Sequence, residues 1–244
     1  MFIDVAIVLL KIAFVFGLVL NIAAILGWAE RKQSAVMQDR IGANRADILG
    51  LRLFGLFHPI ADTVKAITKE DWIPPGGDKF LHTLAPFLAL FTALAVFAVI
   101  PFGDTLHIAG RDIPLVIADL NVGILFVIAF GSLGIYSVVL AGWSSDNKYS
   151  LLGSMRAAAQ VISYELALAL SVVGVIMAYG SVELDDIARA QGQYVLGIIP
   201  YWGVIAQPLG FLIFFAAAMA ETKRTPFDLP ECESEIIGYF TEYS

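Results

Sequence analysis

Five long apolar segments alternate with polar stretches along the chain, and each is long enough to cross a lipid bilayer. They cover about residues 5–27, 81–101, 121–142, 157–179 and 198–220. A hydrocarbon core about 30 Å thick requires roughly 20 apolar residues in a helix. Because lipid offers no partners for backbone N–H and C=O groups, we expect helices rather than strands in these segments. The pattern therefore predicts an all-α integral membrane protein, with a single membrane domain over residues 1–244.

The first polar stretch, residues 28–80, contains a helix of another kind. Its apolar residues recur at helical spacing, and charged residues fall between them. The apolar positions are Phe57, Ile60, Val64 and Ile67. This pattern is typical of an amphipathic helix that lies along the membrane surface. Pro59 suits the first turn of such a helix.

Composition agrees with a membrane protein and excludes several other classes. Of the 244 residues, 59% are hydrophobic and 15% are charged, a mixture that a polar surface in water could not cover. The net charge of −7 argues against a nucleic-acid partner, which would require a basic face. The one cysteine, Cys232, excludes an internal disulfide framework. The histidines His58, His82 and His107 lie far apart in the sequence, so no metal site is predicted.

The distribution of Lys and Arg predicts the orientation in the membrane. These residues concentrate in the loops 28–80 and 143–156 and in the tail 221–244. The loops 102–120 and 180–197 contain one basic residue each, Arg111 and Arg189. Since cytoplasmic loops carry the excess of Lys and Arg, the basic loops and the tail are expected inside. The N-terminus is then expected outside.

Two carboxylates stand at unusual positions relative to the predicted crossings. Glu165 is the only acid well inside an apolar segment, where an ionisable group is costly and suggests a proton relay or ion site. A structural pair, or a hydrogen bond to a neighbouring helix, is the alternative for Glu165. Glu221 closes the fifth segment, and either a specific role or ordinary contact with interfacial water would explain it.

An acidic stretch follows the fifth segment directly. Its carboxylates after Glu221 are Asp228, Glu231, Glu233 and Glu235. Close like charges resist simultaneous ionisation, so such a group can share a proton. A solvated acidic loop remains the alternative for this stretch.

Four stretches, taken in order, resemble one known family. They are ERKQSAVMQDRIGANR, HPIADTVKAITKEDWIP, GWSSDNKYSLLGSMRAAAQVISYE and AETKRTPFDLPECESEIIGYFTEYS, which start at Glu30, His58, Gly142 and Ala220. Together they resemble the quinone-site membrane subunit of respiratory complex I, the NADH:quinone oxidoreductase (the H-type subunit of bacteria, subunit 1 of mitochondria). The resemblance extends over essentially the whole chain. Ala43 departs from the family pattern, which has proline at this position.

The resemblance implies a fold, a substrate and partners. The family has eight membrane helices, so a chain that ends at Ser244 after five is expected to be a C-terminally truncated fragment. It implies no cofactor in this chain, a quinone as substrate, and FMN and iron–sulfur clusters in partner subunits. The implied partners are peripheral quinone-site subunits and antiporter-like membrane subunits. The implied location is the bacterial cytoplasmic membrane rather than the mitochondrial inner membrane.

The resemblance also implies roles for individual residues, although no catalytic residue is expected in this chain by itself. The residues implied at the quinone chamber are Arg31, Asp62, Lys65, Asp228, Glu231, Glu233 and Glu235. The residues implied along a proton path are Glu165, Glu221 and Glu242. Arg224 is implied as a positive partner of the acidic loop.

Three other functions remain open from the sequence. The nearest is the homologous membrane subunit of an energy-converting [NiFe] hydrogenase, which shares the fold and lacks quinone. A stand-alone ion transporter could use Glu165, but the chain shows no inverted repeat. A structural anchor for a peripheral arm would use the basic inner loops and would have no proton role.

Overall fold

The computed structural model describes residues 2–48, 50–70, 72–108, 110–195, 199–223, 226–228, 237–239 and 243. The chain, predicted as a single membrane domain, divides into two compact units, Met1–Asp71 and Trp72–Ser244. We call them unit 1 and unit 2.

Within its described residues, unit 1 contains two α-helices and, in the loop between them, a single-turn 3-10 helix at Leu53–Gly55. Helix α1, Phe2–Met37, continues ten residues past the end predicted from hydropathy, because the stretch after Gly27 holds good helix formers and no proline. Helix α2, His58–Thr68, lies where the amphipathic pattern predicted it and has Pro59 in its first turn. Its apolar side chains remain exposed, with Ile67 78% accessible, as expected of a surface intended for lipid.

Unit 2 contains six helices and two short hairpins within its described residues. The helices are α3 (Lys79–Val96), α4 (Gly123–Ser144), α5 (Lys148–Tyr179), α6 (Leu184–Gln191), α7 (Gly203–Ala206) and α8 (Pro208–Glu221). The antiparallel hairpins are β1 (Leu106–Ile108) with β2 (Arg111–Ile113), and β3 (Tyr194–Val195) with β4 (Ile199–Pro200). Helices α3, α4, α5 and α8 pack side by side in that order. Both hairpins and α6 lie at one end of these helices, near the C-terminus of α5, and we call it the hairpin end. Residues 226–228, 237–239 and 243 lie towards the opposite end of the helices, which we call the tail end.

Four described helices are long and apolar enough to cross a membrane, namely α1, α3, α4 and α5. Helix α8 is apolar but shorter. The prediction of an all-α membrane protein is thus confirmed, with two pairs of very short strands outside the long helices.

The fifth predicted segment, 198–220, is not one continuous helix. Helix α8 has 14 residues and therefore rises about 21 Å, less than the roughly 30 Å of a hydrocarbon core. Pro208 explains the late start, because proline disfavours the helical conformation of the residue before it. Gln207 accordingly has φ −142° and ψ 69° and separates α8 from the short α7.

Helix α5 is longer than predicted. It begins at Lys148 instead of residue 157, so most of the predicted inner loop 143–156 is helical. The side chain of Asn147 caps the helix by accepting a hydrogen bond from the backbone N–H of Tyr149 at 2.9 Å. At the other end Gly180 adopts a left-handed conformation, with φ 73°, that ends the helix. Its 32 residues rise about 48 Å, so the apolar part can cross a membrane while the first turns extend beyond it.

Small residues set the close packing of α5 at the tail end. Ser150 and Ser154 are fully buried, and a side chain at Gly142 of α4 would collide with Ser154. Small side chains allow helix backbones to approach closely, which is the usual basis of helix packing in membranes. This packing fixes α4 against α5 beside the residues of the candidate site.

Candidate functional site

In unit 1 the candidate residues Arg31 and Asp62 form an ion pair between α1 and α2. The Arg31 guanidinium donates to the Asp62 carboxylate, and both side chains are about half exposed. One turn further along α2, Lys65 is exposed. A polar cavity of about 410 Å³ adjoins the pair and is also lined by Ser34 and Arg40. Arg31 of α1 thus contacts Asp62 of α2, and Lys65 lies on the next turn of α2.

The loop between α1 and α2 is fixed by hydrogen bonds to both helices. The indole N–H of Trp28 donates to the carbonyl of Phe54 at 3.2 Å. His58 Nε2 accepts hydrogen bonds from the backbone N–H groups of Arg45 and Ala46, at 3.1 and 3.2 Å. Nε2 is therefore unprotonated in this arrangement. The loop holds α2 against the last turns of α1, where Arg31 lies.

In unit 2, Glu165 lies in the middle of α5 and faces α4. Its carboxylate accepts a hydrogen bond from the hydroxyl of Ser132. A bond to a neighbouring helix was one of the alternatives that the sequence left open. A hydroxyl can both donate and accept, so it is compatible with either protonation state of the carboxyl.

Glu221, the last residue of α8, lines a cavity of about 610 Å³. Small and apolar side chains of α3, α4 and α5 form most of the wall. The Glu221 Oε2 atom is buried and has no hydrogen-bond partner among the described residues. Glu221 also interacts electrostatically with Glu165 and Lys223. A buried carboxylate oxygen without a partner is a natural position for a proton or a water molecule.

Two tyrosines close the tail end of this cavity. The Lys223 ammonium donates to the Tyr239 hydroxyl at 2.7 Å and lies 4.1 Å from the centre of its ring. Tyr243 stacks on the buried ring of His82, with ring centres 4.0 Å apart, and donates to the His82 carbonyl at 3.1 Å. Burial raises the pKa of the Tyr243 phenol above its ordinary value, while the hydrogen bond with Ser144 opposes that shift. No pattern in the sequence indicated these contacts.

Asp228 is held near the middle of α5 by its neighbour Phe227. The carbonyl of Phe227 accepts from the side-chain amide of Gln160 at 2.7 Å, and its ring packs edge-on against Tyr164 at 5.2 Å between centres. Gln160 and Tyr164 lie about one turn apart on α5, and Tyr164 directly precedes Glu165. Asp228, one residue after Phe227, is partly exposed.

Five candidates lie outside the described residues, and their predicted roles stay predictions. They are Arg224, Glu231, Glu233, Glu235 and Glu242. Within the described ranges, no group of three or more His, Cys, Asp or Glu side chains could hold a metal ion.

Several known proteins similar to this chain belong to one family. A family model described as NADH dehydrogenase matches residues 10–244. An H-type subunit of the NADH-quinone oxidoreductase of Geobacter metallireducens is 50% identical, over 99% of this chain and 70% of the relative. The corresponding subunit of Thermomicrobium roseum is 50% identical over 93% of this chain and 67% of the relative. One from Syntrophobacter fumaroxidans is 51% identical over 96% of this chain and 67% of the relative.

Proposed function

Since the chain belongs to the NADH dehydrogenase family, we propose that it is the H-type membrane subunit of a proton-translocating NADH:quinone oxidoreductase. The relatives' names favour this function over the hydrogenase alternative. Their bacterial sources support a bacterial cytoplasmic membrane as the location. The predicted orientation, with the tail end inside, belongs to the same proposal.

In this proposal the chain carries no redox group of its own. FMN and iron–sulfur clusters belong to partner subunits, which deliver electrons to a quinone. Arg31, Asp62 and Lys65 contribute to the wall of the quinone chamber, with Asp228 and the acidic stretch after it. The other partners are peripheral quinone-site subunits and antiporter-like membrane subunits, which continue the proton path.

The observation that carries the proposal is the unpartnered Oε2 of Glu221 in its cavity. A carboxylate that only ended a helix at the membrane surface would point into water. Glu221 instead lies among small apolar side chains and within electrostatic reach of Glu165. This is the environment in which a carboxyl group takes up and releases a proton when a nearby charge changes.

The proposed mechanism uses these positions. Reduction of the quinone adds negative charge and consumes protons, which changes the potential at the neighbouring carboxylates. Interactions between charges are strong where water is excluded, so the change reaches Glu221. Glu221 then exchanges a proton with Glu165 by way of groups in the cavity, and Ser132 adjusts its hydroxyl to the new state of Glu165. Burial and the Glu165 charge favour the protonated form of Glu221, and the Lys223 ammonium, also in the cavity wall, opposes them.

The test is to replace the two acids separately in the complete complex, as Glu221→Gln and Glu165→Gln. Inverted membrane vesicles would be assayed for NADH:quinone reductase activity and for proton uptake. Because positioned proton transfer contributes about a hundredfold or more to rate, we expect each variant to lose at least tenfold in coupled activity. Glu183→Gln, at the hairpin end, is the matched control and should retain both.

Two results would contradict the proposal. Undiminished reductase activity and proton uptake in both variants would exclude the proton role of Glu221 and Glu165. The chain would then be interpreted as a structural anchor for a peripheral arm. Absence of any quinone-dependent activity in membranes that contain the assembled wild-type complex would remove the oxidoreductase function itself.

A further inference from the structure

A second cavity, of about 710 Å³, lies at the hairpin end of unit 2. Helices α4, α5 and α8 form its walls, and α6 and α7 cover its end. Representative lining residues are Val127, Val172, Val175, Leu184, Trp202 and Phe211. We propose that this cavity binds one fatty-acyl chain of a membrane phospholipid.

The chemistry of the wall excludes water as the occupant. Ser171 donates to the carbonyl of Leu168 at 2.6 Å, and the side-chain amide of Gln207 donates to the carbonyl of Gly174 at 2.7 Å. Gln191 accepts a hydrogen bond from the backbone of Gly203. No buried polar side-chain atom of the described lining lacks a partner. A buried water needs two to four polar partners, so the cavity suits an apolar ligand.

The cavity opens where side chains of α7 and α8 are exposed. Val204, Phe211 and Phe214 line it and are also 39%, 44% and 40% exposed. In a membrane-spanning unit, exposed apolar side chains at the flank of a helix face lipid wherever no neighbouring helix covers them. The opening therefore admits a chain from within the bilayer.

Aromatic residues place this opening near one membrane surface. Trp202 lines the cavity and is 54% exposed. Beside it, the Tyr179 hydroxyl donates to the carbonyl of Tyr201 at 2.8 Å, and their rings meet edge to face. Trp and Tyr concentrate where hydrocarbon meets the headgroups. A lipid held here would keep its headgroup beside Trp202 and place its chain between α5 and α8.

The short helix α8 explains why the cavity exists. Because α8 falls about 9 Å short of a full crossing, the space beside its first turn is not filled by a regular helix. The break at Gln207 bends the chain into α7, and the backbone there lines the cavity. Irregular backbone at membrane depth is tolerated where its polar groups have partners within the protein, and here the backbone N–H of Gly203 donates to the side chain of Gln191.

The occupant is a phospholipid rather than the isoprenoid tail of a quinone. Glu221 and Asp228, which the proposed function assigns to the proton path and the chamber, lie towards the tail end of the helices. The cavity lies at the opposite end, and acyl chains are the apolar ligands that surround it there. The choice of phospholipid over quinone rests on the proposed function, whereas the cavity and its apolar lining do not depend on it.

The experiment uses the complete complex in proteoliposomes that contain phosphatidylglycerol with a diazirine on one acyl chain. Illumination and peptide mass spectrometry would locate the adducts. We expect them on the cavity-lining parts of α5 and of residues 202–214. Val172→Phe and Val175→Phe fill the cavity and should each reduce these adducts severalfold. Val173→Phe is the matched control, because Val173 is 45% exposed beside them and does not line the cavity.

Each outcome decides the inference. Loss of adducts in the cavity variants, with retention in the control and no competition by added long-tailed quinone, supports it. Equal labelling in the cavity variants and the control would show only general contact with lipid and would overturn it. Displacement of the label by quinone would assign the cavity to quinone and would overturn it as well. A filled variant that does not assemble is replaced by Val127→Phe, read in the same way.

Discussion

At the scale of single residues, the pair Arg31–Asp62 offers a test of the chamber. Its two side chains are about half exposed, so the pair contributes no more than about 1 kcal/mol to stability. Asp62→Asn should therefore leave assembly intact. If this carboxylate contacts the quinone path, the KM for a short-chain quinone should rise severalfold with little change in complex content of the membranes.

Asp47→Asn is the control for this prediction, because Asp47 is an exposed carboxylate of the same unit. If Asp62→Asn has the same KM as Asp47→Asn, Asp62 does not contribute to the quinone chamber. A loss of assembled complex in Asp62→Asn alone would instead assign the pair to folding.

At the scale of elements, α5 holds part of the tail through a glycine. A side chain at Gly153 would meet the backbone of Gly238 at about 2.8 Å, and Ser150, one turn earlier, donates to the carbonyl of Tyr239 at 3.1 Å. Gly153→Ala should therefore push residues 237–239 away from α5. Overpacking of this kind costs about 1–3 kcal/mol, so the purified complex should show a lower Tm.

Gly17→Ala is the matched control, since a side chain at Gly17 would meet nothing within 4 Å. In a helix this exchange improves the intrinsic helix propensity. An equal Tm for both variants would show that the 237–239 segment moves aside without cost, which contradicts the packing described for α5.

At the scale of the whole molecule, the basic loops predict which face of the membrane each end of unit 2 occupies. In a Cys232→Ser background, Tyr194→Cys marks the hairpin end and Tyr149→Cys marks the tail end; both tyrosines are exposed. A membrane-impermeant maleimide added to intact cells should label Tyr194→Cys alone. In inverted vesicles the pattern should reverse. Labelling of Tyr149→Cys from outside would overturn the orientation.

The sequence predicted what depends on neighbouring residues and missed what depends on packing. Hydropathy is a local property, so the length of each apolar run was enough to predict the crossings. Glu165 was evident for the same reason, as an acid within such a run. The helical start of α5 was missed because its first two turns, KYSLLGSM, mix polar with apolar residues, and such a stretch can be helical outside the bilayer. The bonds Ser132–Glu165 and Tyr243–His82 join residues 33 and 161 positions apart, so no local pattern indicates them.

The length and continuity of α5 have a thermodynamic consequence. One unbroken helix carries the contacts to Gly238 and Tyr239, the contacts to Phe227, and the carboxylate of Glu165. A shift of this helix relative to α4 that alters the bond between Ser132 and Glu165 also alters the contacts that hold residues 237–239. Linkage is reciprocal, so a change in those contacts alters the surroundings of Glu165 by the same free energy. A protein that binds these tail residues would in this way affect Glu165, in the middle of the membrane, without contacting it.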